Sequence, residues 1–336
     1  MRTMRLFEQK PVVEKPLALI DLPIPDPGPG QVRIRVINCG VCHTDLHTVE
    51  GDIHPPLLPI TPGHQVVGII DALGPGLVGV GPAGLEVGQR VGVPWLYSAD
   101  GVCEFCKRGE ENLCPEARFT GFHVDGGYSE YMLAEASYVL TIPAGISDLQ
   151  AAPLLCAGII GYRSLLKADV QPGERLGLVG FGASAHLTIQ VALHWGCEVY
   201  VFTRSDNHRR HALELGAAWV GGAEDEPPAL LDRAIIFAPS GQLVPLILAK
   251  IRPAGTLAIN AIYTSPIPEM KYELLYKERT VRSVANATYQ DGVNFLALAA
   301  KIPVQATVST YALEDANQVL IDLKHSQISG EAVLVV

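Results

Sequence analysis

The chain has 336 residues, of which 48% are hydrophobic and 18% charged, and its formal net charge is −10. This length accommodates two domains with a large core, and an acidic chain without a Lys/Arg cluster disfavours a nucleic-acid partner. Residues 1–10 lack the apolar core of a signal peptide and no run reaches transmembrane length, so the sequence predicts a cytoplasmic protein with no membrane segment.

The N-terminal part of the chain predicts a β-rich domain. Short β-branched runs at 32–38, 66–72 and 90–94 indicate strands, and turns rich in Gly and Pro separate them. The seven cysteines favour metal ligands over disulfides, because several follow C-x-x-C spacing and no export signal precedes them. Cys39 and Cys197 belong to neither of the two candidate metal sites described below, and we expect both to be buried apolar residues.

Two cysteines and one histidine form a candidate catalytic metal site. Cys42 lies in Cys-Gly-Val-Cys-His-Thr-Asp, His64 in Pro-Gly-His-Gln, and Cys156 in Pro-Leu-Leu-Cys-Ala-Gly. Two thiolates and one imidazole are the protein ligands of a Cys₂His catalytic zinc, whose fourth position stays open for water or substrate. Scattered Cys and His alone would be weak evidence for a metal site. However, each of these three residues adjoins a glycine-containing turn, and all three precede the glycine-rich loop at 180–185 that is described below.

Beyond residue 172 predicted strands and helices alternate, a pattern that indicates a parallel doubly wound sheet. The predicted strands are 175–179, 198–203, 233–238, 255–260 and 280–284. The predicted helices are 184–195, 207–215, 241–251 and 270–277. The chain is completed by a helix at 291–300 and strands at 305–313 and 332–336.

A glycine-rich loop joins the first of these strands to the first of these helices. It has the G-x-G-x-x-A fingerprint and consists of Gly180, Phe181, Gly182, Ala183, Ser184 and Ala185. The two glycines permit a tight turn and the approach of a pyrophosphate, and Ala185 lets the helix pack on the strand. The free N–H groups of the helix N-terminus suit an anion, so the loop predicts dinucleotide binding. A glycine turn without a ligand is the alternative.

The residues after the second strand of this sheet bear on the choice of nicotinamide cofactor. An acidic residue there would bind the adenosine ribose and select NAD, but Thr203 occupies the position and Arg204 and Ser205 follow. A guanidinium is therefore available for a 2′-phosphate, which favours NADP over NAD. Asp206 could supply the acidic group or cap the next helix, and we favour the capping role.

These motifs, with the segments 91–99, 125–131 and 151–158, resemble the zinc-dependent alcohol dehydrogenases of the medium-chain dehydrogenase/reductase superfamily nearly end to end. The resemblance implies an α/β protein with a β-rich GroES-like catalytic domain, 1–155 and 291–336. A Rossmann cofactor domain, 156–290, would hold the nicotinamide in the cleft between the domains.

The implied reaction is hydride transfer between the nicotinamide and a primary or secondary alcohol, or an aldehyde or ketone in reverse. The implied assembly is a homodimer or homotetramer. Three alternatives stay open: a polyol or quinone reductase-like activity, a zinc hydrolase or lyase, and a non-catalytic dinucleotide-binding protein.

The resemblance also assigns roles around the candidate zinc site. Thr44 takes the position of the hydroxyl that binds the alcohol oxygen, and His47 ends the proton relay. Asp45 orients the ligand His64, and His43 contacts the cofactor phosphate. From the residues alone, Thr44 could instead cap a helix, and His43 and His47 could face solvent.

Two features depart from the family's pattern. Gln65 stands where members commonly carry Glu, so the zinc with its two thiolates would form a neutral site. The structural zinc lobe of the family has four cysteines, whereas this chain has Asp100, Cys103, Cys106 and Cys114 at that spacing. Aspartate oxygen is an acceptable zinc donor, so a second zinc is predicted, and a metal-free lobe is the alternative.

The resemblance places Ile53 and Trp95 in the substrate pocket. Ile53 occupies a position where relatives often have a large aromatic residue. The two together predict a site roomier than one for ethanol alone.

Overall fold

The computed structural model describes residues 1–77, 84–328 and 330–336. The chain forms two compact units. The first unit comprises Met1–Cys156, Asn286–Ala300 and Gln305–Val336. The second unit comprises Ala157–Ala285 and Lys301–Val304.

The first unit is rich in short strands from its start, as predicted. Its first strands are β1 (Arg2–Leu6), β2 (Leu17–Asp21), β3 (Gln31–Val41), β4 (Gln65–Leu73), β5 (Arg90–Val93), β6 (Leu96–Ser98), β7 (Arg118–Phe119), β8 (Tyr131–Glu135) and β9 (Leu140–Thr141). Its first helices are α1 (His43–Glu50), α2 (Glu104–Lys107) and α3 (Asp148–Pro153). The strands predicted at 32–38, 66–72 and 90–94 correspond to β3, β4 and β5.

The second unit alternates strands and helices. Its strands are β10 (Arg175–Val179), β11 (Glu198–Phe202), β12 (Trp219–Gly221), β13 (Leu231–Ile236), β14 (Ile251–Ile259) and β15 (Thr280–Ser283). Its helices are α4 (Ile159–Lys167), α5 (Ala183–His194), α6 (Asp206–Glu214) and α7 (Leu243–Leu248). The helix predicted at 270–277 is wrong, because only the 3₁₀ turn Tyr272–Leu274 forms and Lys277 and Glu278 have positive φ, which ends a helix.

The chain ends in the first unit with α8 (Tyr289–Lys301), β16 (Val308–Ala312), α9 (Ala316–Lys324) and β17 (Glu331–Val335). The main sheet has the order β16-β17-β3-β4-β5-β9, and β8 also pairs with β3. The long strand β3 is therefore flanked by β4 on one side and β17 on the other. One large core cluster, including Val36, Val66 and Leu334, packs around it.

The sheet of the second unit has the order β12-β11-β10-β13-β14-β15, and its neighbouring strands are parallel. The first strand, β10, lies inside the sheet, and successive strands extend it in both directions. Its strands are apolar and largely buried, as expected when helices cover both faces. The predicted combination of a β-rich unit with a doubly wound parallel sheet is confirmed.

The helical stretch Asp148–Lys167 is long and apolar enough to cross a membrane by length and composition alone. However, 67% of it is buried inside the protein. A mostly buried stretch of this kind is typical of a core helix in a globular protein.

Candidate functional site

Cys42, His64 and Cys156 come together in the first unit. One potential ligand atom from each lies within 4.8 Å of the others. The Cys42 Sγ is 3.2 Å from the His64 Nε2. Zinc–sulfur and zinc–nitrogen bonds of about 2.3 and 2.0 Å, at a tetrahedral angle, separate the two ligand atoms by about 3.5 Å. The donor set and its spacing therefore fit a zinc ion.

Local structure explains how three distant segments meet. Cys42 follows β3 and is the N-cap of α1, where its Sγ accepts a hydrogen bond from the Thr44 N–H at 3.2 Å. His64 immediately precedes β4, the strand that pairs with β3. Cys156 lies in a π-helical turn, Leu154–Gly158, between α3 and α4. Such π turns recur at functional sites because the extra residue redirects side chains.

Asp45 holds the histidine in place. Its Oδ1 is 3.0 Å from the His64 Nδ1 and accepts the Gly63 N–H at 3.1 Å. Its Oδ2 accepts the Cys42 N–H at 3.0 Å. The side chains of Asp45 and His64 are 2% and 1% exposed. With Nδ1 committed to Asp45, Nε2 is the nitrogen that faces the thiols, as in carboxylate–histidine–zinc arrangements.

The electrostatics of the cluster suit a cation. The hydrogen bond from the Cys156 thiol is the main reason that the pKa of Cys42 lies well below its usual value, and His64 lowers it further. The same hydrogen bond and burial raise the pKa of Cys156. Burial lowers the pKa of His64, but the charges of Asp45 and Cys42 outweigh it and raise this pKa overall. These shifts favour the ionised form of the Cys42 thiol, which is the form that binds a metal ion.

Two further polar side chains adjoin the cluster. Gln65 is fully buried, and no hydrogen-bond partner for its amide Oε1 or Nε2 occurs in the described part of the chain. Glu331, the first residue of β17, is 3% exposed. Burial and the negative charge of Cys42 raise the pKa of its carboxyl. No sequence pattern points to Glu331, because only the pairing of β17 with β3 brings it here.

The predicted relay histidine has a carboxylate partner that sequence reasoning missed. The His47 Nδ1 is 2.7 Å from the Asp52 Oδ2, and the two side chains are 22% and 52% exposed. The turn after α1 creates this pair, because the N–H groups of Gly51 and Asp52 both donate to the His47 carbonyl. His43 is exposed at the start of α1, and its ring centroid is 6.3 Å from that of His47.

Aromatic rings form a wall beside His64. The Trp95 ring meets the His64 ring edge-on with centroids 4.9 Å apart. The Phe119 ring stacks on Trp95 at 5.0 Å, and Phe122 lies 5.8 Å from Trp95. All three aromatic side chains are partly exposed. The sequence analysis expected Trp95 here but not Phe119 and Phe122, which an intervening loop brings back to it.

The predicted second metal site is also assembled. One ligand atom from each of Asp100, Cys103, Cys106 and Cys114 lies within 4.8 Å of the others. The Asp100 Oδ1 accepts the N–H groups of Cys103 and Val102, which keep the pKa of this carboxyl well below its usual value. Burial and Asp100 raise the pKa of the Cys106 thiol to about 12. A carboxylate surrounded by three thiols fits a divalent metal.

The dinucleotide fingerprint adopts the predicted strand–loop–helix geometry. Gly180 follows β10 with φ +86°, a conformation that favours glycine. A Cβ at Gly182 would meet nothing within 4 Å, so the loop leaves open space in front of α5. Gly182 also offers no side-chain cap to the first N–H groups of this helix, near Ala183 and Ser184. Phe181 and Ala185 are buried and support the loop.

The segment after β11 is arranged partly as expected. Thr203 is nearly buried, and its N–H donates to the Gly221 carbonyl at 2.7 Å. Arg204 is exposed. The capping role expected of Asp206 is wrong, because the Ser205 Oγ accepts the His208 N–H as the N-cap of α6. A serine hydroxyl reaches that N–H from the preceding position, which leaves the Asp206 side chain 90% exposed.

Comparisons with known proteins agree with this architecture. A family model, the alcohol dehydrogenase GroES-like domain, matches residues 28–144. The probable alcohol dehydrogenase AdhA of Mycobacterium tuberculosis (strain CDC 1551 / Oshkosh) is 44% identical over 327 residues, which cover 97% of this chain and 94% of that protein.

Two solved structures are similar over nearly their whole length. The alcohol dehydrogenase of Aeropyrum pernix has a TM-score of 0.87 and 29% identity, and all of both chains is covered. A cinnamyl alcohol dehydrogenase of Sorghum bicolor has a TM-score of 0.89 and 26% identity, with 99% of this chain and 97% of that chain covered.

Proposed function

Because this chain belongs to the alcohol dehydrogenases of the medium-chain dehydrogenase/reductase superfamily, we propose that its Cys42, His64 and Cys156 hold a catalytic zinc ion. The second unit binds a nicotinamide dinucleotide at the loop before α5. The three converging ligand atoms are the observation that carries this proposal. When bound, zinc acts as a Lewis acid on the substrate oxygen, and the nicotinamide exchanges a hydride with the adjacent carbon.

The protein's own residues prepare the site for this reaction. Asp45 fixes the ring of His64 and the backbone of Cys42, so two ligands keep one geometry with little reorganisation. The Thr44 hydroxyl accepts a hydrogen bond from the substrate hydroxyl and orients it; as it takes up that proton, it gives its own proton to the relay that ends at His47. This role is compatible with its place in the first turn of α1, next to Cys42.

The proton leaves through His47. Asp52 binds the Nδ1 of this ring at 2.7 Å, which sets its orientation and makes Nε2 the exchanging nitrogen. Both side chains are partly exposed, so the pair connects with solvent. We therefore assign Asp52 as the residue that positions His47.

The aromatic wall formed by Trp95, Phe119 and Phe122 supports substrates with an apolar or aromatic group next to the alcohol carbon. Flat rings offer a large contact area and favour offset or edge-on stacking. The reaction is reversible, so the corresponding aldehydes and ketones are substrates of the reduction. A cytoplasmic location and assembly as a homodimer or homotetramer stay predictions.

The metal assignment is tested with Cys156→Ala. This variant is expected to lose one metal ion per chain and all measurable turnover, while dinucleotide binding stays within about threefold because the loop before α5 belongs to the second unit and Cys156 to the first. Cys197→Ala, which removes another buried thiol, is the matched control and is expected to keep both metal and turnover. Near-normal turnover by Cys156→Ala would contradict the assignment.

For the cofactor, we propose a preference for NADP over NAD. Arg204 is exposed beside Thr203, and Arg209 adds a second guanidinium whose Nε binds the Thr203 carbonyl at 3.0 Å. A 2′-phosphate carries nearly two negative charges, and charge-assisted bonds to it contribute about 1.5–3 kcal/mol. This corresponds to a roughly ten- to hundredfold gain in affinity.

Steady-state kinetics with both cofactors tests the preference. Arg204→Ala should weaken NADP(H) and leave NAD(H) nearly unchanged, and Thr203→Asp should invert the preference by repelling the phosphate. Arg210→Ala, whose guanidinium binds Asn207 on the outer side of α6, is the control. A wild type that uses NAD(H) better, with Arg204→Ala affecting neither cofactor, would overturn the NADP proposal.

A further inference from the structure

The inference concerns Gln65 and Glu331, two buried polar residues on the strands that flank β3. Gln65 is fully buried and Glu331 is 3% exposed. Both amide atoms of Gln65 and the Oε1 of Glu331 have no hydrogen-bond partner among the described residues. Buried polar atoms are nearly always satisfied, so such atoms point to a water, an ion or a ligand that completes them.

The register of the sheet places the two side chains on one face. Gln65 lies opposite Gly40, and so does Val333 from the other side of β3. Residues directly opposite each other share a face, and every second residue of a strand returns to it. Glu331, two residues before Val333, therefore lies on the same face as Gln65.

Close contacts show where these side chains lie. Gln65 leans over the middle strand, because a Cβ at Gly40 would be 2.4 Å from its Oε1. Ala332 lies opposite Val41, so Glu331 occupies the position next to Cys42. The Glu331 carboxyl also interacts electrostatically with Cys156. Glu331 thus lies beside Cys42, and the Gln65 amide lies over Gly40, two residues before it on the same face.

We propose that Glu331 is a positioning residue of the catalytic metal centre, and that it supplies from β17 the carboxyl group that position 65 lacks. This inference rests on the proposed zinc site. The neutral Gln65 is compatible with it, since two acidic residues on this buried face would repel each other. Gln65 alone predicts a neutral site. With Glu331 the site again contains a carboxyl group, which comes from β17 on the other side of β3.

Glu331 acts from outside the ligand set. The cluster of mutually close ligand atoms contains Cys42, His64 and Cys156 and not Glu331. In its ionised form, which a bound cation favours, the Glu331 carboxyl attracts the cation through space and can hold a water molecule between itself and the Gln65 amide. Residues that surround metal ligands in this way typically change metal affinity by about 10–100-fold when they are replaced.

The test exchanges the two groups. Zinc- and cobalt(II)-loaded proteins are prepared as wild type, Glu331→Gln, Gln65→Glu and the double variant with both changes. The rate of metal transfer to a chromogenic chelator and the cobalt absorption spectrum are measured. Glu135→Gln is the control, because Glu135 lies on β8, which also pairs with β3 but at its opposite end. Cys42→Ala identifies the release phase that belongs to this site.

Glu331→Gln is expected to release the metal about tenfold faster and to shift the cobalt bands, with no change in Glu135→Gln. The double variant is expected to return within about threefold of wild type, which a merely structural role of Glu331 does not predict. Unchanged release in a folded Glu331→Gln would overturn the inference. If Glu331→Gln does not fold, a folded double variant that releases its metal about tenfold faster than wild type would also overturn the inference. If the wild type contained no more metal than Cys42→Ala, this result would instead overturn the proposed zinc site itself.

Discussion

The strongest test of how the site is built is Asp45→Asn. Asp45 lies below the surface with two oxygens and three N–H neighbours, those of Cys42, Gly63 and His64, at 3.0–3.1 Å. Asparagine keeps the shape of the side chain but replaces one oxygen with an NH₂ group and removes the charge. In either orientation the NH₂ group faces at least one N–H donor, so at least one hydrogen bond is lost.

The expected loss of stability follows from these contacts. A hydrogen bond to a charged group contributes about 1.5–3 kcal/mol, and an unsatisfied buried donor costs about 1–3 kcal/mol. Because the three bonds share one carboxylate, their contributions do not add fully. We expect Asp45→Asn to lower the free energy of unfolding by about 2–4 kcal/mol. Its metal affinity should also fall by about 10–100-fold, since His64 loses its fixed orientation.

The assay is chemical denaturation of metal-depleted protein, because bound metal would add its own stabilisation. Metal affinity is measured separately by competition with a chelator. Asp26→Asn is the control, since its side chain is 98% exposed and its ion pair with Arg33 is expected to contribute less than about 1 kcal/mol. An Asp45→Asn variant within about 0.5 kcal/mol of wild type would refute the reasoning that the carboxylate organises the ligands.

Three further predictions concern other parts of the chain. If the second site, formed by Asp100, Cys103, Cys106 and Cys114, binds metal, the loaded protein should contain close to two ions per chain. Asp100→Cys should then raise the melting temperature by tightening that site, whereas one ion per chain in the wild type would reject it. Gly63→Ala should lower the free energy of unfolding by more than about 2 kcal/mol, because Gly63 has a φ of +100° and an added Cβ would lie 2.4 Å from Tyr128. Gly76 also has a positive φ, but an added Cβ there would meet nothing within 4 Å, so Gly76→Ala should lower it by less. Burial lowers the pKa of His186 to about 4, below its unfolded value, so stability should fall by about 1.4 kcal/mol per unit as pH drops from roughly 6.5 to 4. His186→Gln should remove this slope, and equal slopes in both proteins would show that the ring is protonated when folded.

Local sequence patterns predicted a large part of this protein. The G-x-G-x-x-A loop, its strand and its helix form where expected, because a glycine turn and apolar periodicity act within a few residues. Cys42, His64 and Cys156 come together as the sequence predicts, since each stands in a recognisable turn. The expected burial of Cys39 and Cys197 is also confirmed. The roles assigned to these ligands stay proposals for the experiments above.

Tertiary structure decided what lies around those motifs. Asp52 meets His47 only because the turn after α1 folds back, and Glu331 reaches Cys42 only through the pairing of β17 with β3. Hydrophobic periodicity predicts that a strand exists and which side is buried, but not which distant strand becomes its neighbour. A polar residue at the start of a strand therefore looks like any other solvent-facing group until the sheet is assembled. The sequence determined the cluster of Cys42, His64 and Cys156 and the glycine-rich loop, whereas strand pairing determined which acidic side chain lies beside that cluster.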